Sequence, residues 1–286
     1  MRINTNVASL TAQESATNTN KTLSSSLEKL SSGLRINKAS DDASGLAIAD
    51  KLRTQASSIG QAISNGNSAV SLTQIADKAM AEQSNILDIV KQKLIQASTA
   101  TTSAEGRDAI GKDINKLLTQ IDNIAQQTNY NGIQLLQASA GSKASAGAQV
   151  FQMGEKSADT ITLGSGITAN TSGLSGMSVL KASSLGGGSA FSAGVARGYM
   201  AHVDSALNQL NSWRADVGST QNQLESALRN MMTQQTNIKA AESVIRDVDY
   251  AAESANFNKA NIIAQAGTYA MSQANAMQQN VQRLLQ

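Results

Sequence analysis

The sequence predicts a mainly α-helical chain, a long antiparallel coiled-coil or helical-bundle hairpin that carries a small β-hairpin element. Three observations predict it. Apolar residues recur at heptad spacing in both ends of the chain. Of the 21 glycines, 12 fall between Gly141 and Gly198, and the last 88 residues hold only Gly218 and Gly267. Proline is absent, so nothing forces a kink or stop in a long helix. Apolar seams at the chain termini, where most proteins fray, imply a subunit whose ends are buried in something larger.

The first arm carries Leu23, Leu27, Leu30 and Leu34, spaced four, three and four, after a weaker series of Ile3, Val7 and Leu10. Gly33 and the segment Lys38-Ala39-Ser40-Asp41-Asp42 interrupt it, and the two acids suit the positive N-terminus of a following helix. That helix carries Ile48, Leu52, Ile59, Ile63, Val70, Met80, Leu87 and Leu94 and is expected to run to about Ser98. Thr99 to Ser103 reads as a turn, and Thr102-Ser103-Ala104-Glu105 fits a capping box. The next helix shows Ile110, Ile114, Leu117, Leu118, Ile121 and Ile124 and is expected to end at Asn131-Gly132, where glycine takes a left-handed conformation.

From Gln149 the period changes. Val150-Phe151-Gln152-Met153 and Thr160-Ile161-Thr162-Leu163 read as two short strands around a turn at 154–159. Residues 164–190 are rich in glycine and serine and read as surface loops. The returning arm has thirteen heptad positions from Val203 to Ile245, of which nine are apolar, where composition alone gives about five. The four exceptions are Arg214, Gln221, Gln235 and Glu242. After Arg246-Asp247-Val248-Asp249-Tyr250 the pattern restarts through Phe257, Ile262, Ile263, Tyr269, Met271, Met277, Val281, Leu284 and Leu285. An apolar terminus of this kind suits a polymer better than a monomer in water.

Composition excludes several functions. The net charge is only +2, with acids and bases interspersed and no basic stripe with interleaved aromatics, which argues against nucleic acid. There are no cysteines for disulfides or thiolate metal sites. The lone His202 sits in a helical pattern with Tyr199, Val203 and Leu207, so no histidine metal site is expected. The opening MRINTNVASL lacks the pattern of a general secretory signal, and no apolar run approaches membrane-spanning length. Export, if it occurs, would use another machine and no cleavable signal peptide. Asp41-Asp42 reads as a helix cap, and Asp247 with Asp249 as an interhelical linker. Gly186-Gly187-Gly188 lacks the lysine and flanking strand of a phosphate cradle. No catalytic, cofactor or metal residue is therefore assigned.

Several ordered motifs resemble bacterial flagellin, the subunit of the flagellar filament. They are Leu30-Ser31-Ser32-Gly33-Leu34-Arg35-Ile36-Asn37, Asp41-Asp42-Ala43-Ser44-Gly45-Leu46-Ala47-Ile48-Ala49 and Gln127-Thr128-Asn129-Tyr130-Asn131-Gly132 near the start. Ile245-Arg246-Asp247-Val248-Asp249-Tyr250-Ala251, Gln265-Ala266-Gly267, Gln273-Ala274-Asn275 and Gln279-Asn280-Val281 follow near the end. Together the resemblance covers about residues 1–165 and 190–286. It implies an inner coiled-coil layer of residues 1–40 plus 250–286. Around it would lie a helical bundle of residues 41–249 with a small β element, and the variable loops 140–190 would face outward.

The implied function is a secreted structural subunit that polymerises into the extracellular filament used for motility. The alternatives are a hook–filament junction protein of the same superfamily and an unrelated coiled-coil scaffold. The implied partners are the chain itself, the flagellar export apparatus, an export chaperone, the filament cap and hook-junction proteins. Leu23, Leu27, Leu30, Leu34, Ile262, Ile263, Met271, Val281, Leu284 and Leu285 are the expected subunit-interface residues. The competing reading places these leucines in an ordinary intramolecular bundle.

Three departures from the family pattern stand out. Gln278 replaces a proline, so the terminal helix is expected to be straighter. The variable centre is short, so large outer domains are expected to be absent. The segment that resembles the one read by the host's flagellin-sensing Toll-like receptor is Ile89, Val90, Lys91, Gln92, Lys93 and Leu94. Here the family's arginine, glutamate and leucine have become Ile89, Gln92 and Lys93, which predicts weak recognition. Thr168, Thr171, Ser172, Ser175, Ser178, Ser183 and Ser184 are candidate O-glycosylation acceptors, with solvated loop residues as the plainer reading.

Overall fold

A computed structural model describes residues 6–137, 149–164, 167–185 and 191–284. Among these, the chain runs α1 (Val7–Ser32), α2 (Ala43–Ser98), α3 (Ala104–Gln127), β1 (Asn129–Tyr130), β2 (Ile133–Gln134), β3 (Gln149–Gln152), β4 (Thr160–Leu163), α4 (Met177–Leu185), α5 (Ala193–Arg246) and α6 (Tyr250–Leu284). The mainly helical class with a small β element is borne out. Compact packing divides the chain into one unit of Met1–Ser57 with Gln235–Gln286 and another of Ser58–Gln234.

The helix ends follow from local hydrogen bonding. Asn6 caps α1 by accepting the Ser9 N–H at 3.1 Å. Gly33, at φ 73°, ends it by donating to the Lys29 carbonyl. Asp42 caps α2 by accepting the N–H groups of Ser44 and Gly45 at 3.1 and 2.9 Å. Asp249 does the same for α6 through Ala251 and Ala252 at 3.0 and 3.1 Å. The expected end of α2 at Ser98 is observed, and α6 continues through Gln278 without the family's proline.

Three local expectations are corrected. The cap of α3 is Ser103, whose hydroxyl accepts the Gly106 N–H at 3.1 Å, so Thr102 and Glu105 do not form the capping box. Asn131-Gly132 does not close α3, which ends at Gln127. The pair has φ of 52° and 80° and turns the β1–β2 hairpin, as Asn-Gly does where two consecutive positive φ values are needed. Residues 164–190 are not all loop, because α4 lies inside them and Leu174, Met177 and Leu180 are buried.

The unit Ser58–Gln234 holds a full core. Along α2, Leu72, Ala76, Met80, Gln83, Leu87, Val90, Leu94 and Ala97 are buried at steps of three or four residues. All but Gln83 share one apolar cluster with Ile110, Ile114, Leu118 and Ile121 of α3 and with Val203, Leu210 and Val217 of α5. The buried Gln83 amide is held by the carbonyls of Ile121 and Ala169 at 3.2 and 2.7 Å. Two polar exceptions in the α5 heptad also find partners. Arg214 pairs with Asp77 at 3.0 Å, and Gln221 bonds Glu225 at 3.1 Å. The β3–β4 hairpin pairs Gln149 with Leu163 through Gln152 with Thr160, as the alternating pattern requires.

Candidate assembly interface

The unit that contains the chain ends is built differently. Its helices α1 and α6 pack antiparallel. Asn6 Nδ2 donates to the Ala274 carbonyl at 3.2 Å, Ser9 Oγ donates to Asn275 Oδ1 at 2.8 Å, and the Tyr250 hydroxyl donates to the Leu30 carbonyl at the opposite end. The breaks after α1 and α5 are laced together. Arg35 N donates to the Arg246 carbonyl at 2.6 Å, and Val248 N donates to the Gly33 carbonyl at 3.0 Å, so Leu34 and Asp247 bridge as short antiparallel strands. Gln235, another polar heptad position, donates to the Ala56 carbonyl at 3.1 Å.

The turn between α1 and α2 is organised by charge. Asp41 Oδ2 accepts the N–H groups of Asn37 and Lys38, and Lys38 reaches back to Glu28 at 2.7 Å. The Lys38 and then the Asn37 N–H hold the Asp41 carboxyl below the ordinary carboxylate range. The Gly45 N–H, followed by the Ser44 hydroxyl, does the same for Asp42. The Glu28 carboxylate holds the Lys38 ammonium above the ordinary lysine value. Glycine is needed at position 45, where a Cβ would lie 2.5 Å from Asp42 Oδ2 and 2.8 Å from Ile36 Cδ1.

This unit has little apolar interior of its own. Its buried hydrophobic side chains, among the described residues, are Ile36, Ala49, Ala56 and Ala260. Large apolar side chains face solvent instead. Leu27 is 51% exposed, Ile262 67% and Tyr269 76%, and Val7, Leu10, Tyr250, Ile263 and Met277 are exposed as well. Of the expected interface residues, Leu23, Leu30, Leu34 and Met271 are half-buried. The side chains of Val281 and Leu284, and all of Leu285, lie outside the described residues. The heptads of sequence reasoning thus fall on two faces, one half-buried between α1 and α6 and one open. Val7, Leu10, Tyr250, Tyr269 and Met277 belong to the open set but were absent from the expected interface, although all but Tyr250 stood in its apolar series.

The other expected positions lie in the unit Ser58–Gln234. In the receptor-like segment, Val90 and Leu94 are buried, Ile89 and Gln92 are exposed, and Lys91 and Lys93 pair with Asp204 and Asp113. Only four of its six side chains therefore reach the surface. Among the glycosylation candidates, Thr171 and Ser184 are buried. Thr171 bonds Asp122, and Ser184 donates to the Lys181 carbonyl at 2.9 Å, so they are poor acceptors in the folded chain. Ser172, Ser175 and Ser178 are exposed, and Thr168 and Ser183 are half-buried. His202 is exposed with its ring 5.8 Å from that of Tyr199.

Residues 3–141 match the family model of the bacterial flagellin N-terminal helical region, and residues 200–285 match that of the bacterial flagellin C-terminal helical region. The chain is 36% identical to flagellin of Bacillus subtilis over 305 residues, covering all of both chains. It is 34% identical to a flagellar filament 33 kDa core protein of Treponema phagedenis over 299 residues, again covering all of both. A solved Vibrio parahaemolyticus structure, described as a flagellar hook-associated protein, is similar over 72% of this chain and 99% of that one. Its TM-score is 0.58 at 12% identity, which is a likeness of fold alone.

Proposed function

The chain belongs to the bacterial flagellin family and is a filament subunit, and we propose that it polymerises through the open apolar faces of α1 and α6. One observation supports this most directly. The unit that carries both chain ends exposes Leu27, Ile262, Ile263 and Tyr269 while burying little beyond alanine. Neighbouring copies bury those side chains. Because each copy presents different patches to its neighbours, the contact is heterologous, and a rotation that does not close propagates it into an open helix.

In the polymer, residues 1–40 plus 250–286 form the inner layer, residues 41–249 the next, and residues 140–190 face outward. The filament stands outside the cell, delivered by the flagellar export apparatus with an export chaperone. It is bounded by cap and hook-junction proteins. Among the described residues no helix is long and apolar enough to cross a membrane. The role is structural rather than enzymatic. Weak Toll-like receptor activation follows from Ile89, Gln92 and Lys93. O-glycosylation, if present, uses Ser172, Ser175 or Ser178, which an intact mass above the bare 29.7 kDa would reveal.

The deciding experiment is heat dissociation of the isolated protein followed by cooling and electron microscopy. Thin, smooth filaments that regrow from the purified chain are expected. A chain that stays monomeric under filament-forming conditions would overturn the polymer reading.

A further inference from the structure

A groove of ≈ 590 Å³ lies along the α1–α6 seam, lined by Lys21, Ser26 and Lys29 of α1 and by Glu253, Lys259 and Ile263 of α6, among others. The register that brings Leu30 to Tyr250 and Asn6 to Ala274 sets Lys21 opposite Lys259. Among the described residues no carboxylate lies within ion-pair distance of either ammonium. Two like charges facing across a helix seam repel each other unless a counter-charge sits between them. Ser26, a residue only 4% exposed, lines the same groove with its hydroxyl. With Lys21, Lys29 and Lys259 against the one carboxylate of Glu253, the groove carries a net positive charge within one copy.

The same chain carries the complementary group. Glu14 is exposed on α1, and no described cation pairs with it. It stands seven residues before Lys21, about 10.5 Å along the helix and on nearly the same face. Glu28 follows seven residues after Lys21, so the stripe alternates negative, positive, negative at heptad spacing. Two such stripes displaced by one heptad set acid against base. In register they set like against like. Glu28 is already engaged by Lys38, which leaves Glu14 as the free acid of the stripe.

We propose that the Lys21–Lys259–Ser26 groove is an inter-subunit docking site that receives the Glu14 carboxylate of a second copy of this chain. The inference rests on the filament reading and adds its axial register. The apolar faces supply association that tolerates sliding, whereas a carboxylate between two ammonium groups fixes the offset.

Charge reversal tests it. Lys21→Glu and Glu14→Lys are each expected to raise the critical concentration for filament growth about tenfold at low salt, and less at high salt. The double reversal is expected to restore growth. Lys21→Gln and Glu14→Gln, which keep helix propensity, are expected to weaken the salt dependence of growth, with unchanged helix content by circular dichroism. Single reversals that grow as well as the unaltered chain would overturn the docking site. Impaired singles that the double reversal does not restore would overturn Glu14 as the occupant. In either case the unaltered chain still polymerises, so the filament reading survives. Its own failure would show as no growth of the unaltered chain.

Discussion

The two compact units solve the problem of burying apolar surface in opposite ways. In Ser58–Gln234, Met80, Leu87, Leu94, Ile114, Leu118, Ile121 and Leu210 are fully enclosed by partners on the same chain. In the unit of the chain ends, large side chains at the same heptad spacing remain open, and the enclosed positions hold mostly alanine. Each alanine removes little apolar area from water. Hydrophobic stabilisation scales with that area, so the first unit is expected to be self-sufficient and the second to depend on its neighbours.

The largest expected effect comes from removing the dependent unit. Trimming about 35 residues from either end should abolish filament growth while residues of Ser58–Gln234 remain folded. Cooperative thermal unfolding by circular dichroism, with electron microscopy for filaments, checks both halves. Filaments from the trimmed chain would break the comparison, because assembly would then not need the open faces.

A paired substitution sharpens it. Leu87→Ala should destabilise the isolated chain by about 2–5 kcal/mol, because a fully enclosed leucine loses both transfer energy and packing. Leu27→Asp should barely change the isolated chain, in which Leu27 is half exposed, yet should prevent assembly by placing a carboxylate in a seam that must exclude water. Denaturant melts and critical concentrations separate the two effects. Equal effects of both changes on the monomer would mean that the units are not energetically distinct.

Much of this contrast is legible in the sequence. The strict leucine spacing, the lack of proline and the Asp-Asp cap place α1 and α2 and their break, and the switch to period two places β3 and β4. Asn131-Gly132 was misread because a left-handed pair serves a helix end and a two-residue hairpin equally. Only the short pairing of Asn129–Tyr130 with Ile133–Gln134 distinguishes them. The segment containing α4 was misread because glycine and serine enrichment outweighed three apolar residues, Leu174, Met177 and Leu180, whose burial depends on distant α3 and α5. The open and half-buried faces of α1 and α6 were only half legible. Heptad spacing marks apolar positions but does not say which of two faces meets α6 within the chain and which stays open. The lysine groove carried a signal that went unread, the sign alternation of Glu14, Lys21 and Glu28 at one heptad each.

The smallest effect concerns pH, and it lies in the dependent unit. Asp42 holds the start of α2, and its carboxyl is lowered mainly by the Gly45 N–H and then by the Ser44 hydroxyl. A depressed folded pKa gives stability that is fully present above the unfolded value, and that stability is lost as pH falls through the folded value. Asp41 titrates in the same direction, its carboxylate being held by the Lys38 and Asn37 N–H groups. Lys38, raised by Glu28, behaves oppositely. Its contribution is complete below the unfolded lysine value and is lost as pH rises through the higher folded one. The turn between α1 and α2 is thus expected to hold across the whole range between the ordinary carboxylate and lysine values and to loosen only in strongly acid or strongly alkaline solution. Asp42→Asn separates the acid edge, because asparagine still accepts the capping hydrogen bonds but does not titrate. The unaltered chain should melt higher than Asp42→Asn at pH 7, and the gap should close as pH falls through the lowered folded value and the carboxylate is protonated. A gap that stays constant from neutral to strongly acid pH would show that the cap acts through geometry alone, without the charge.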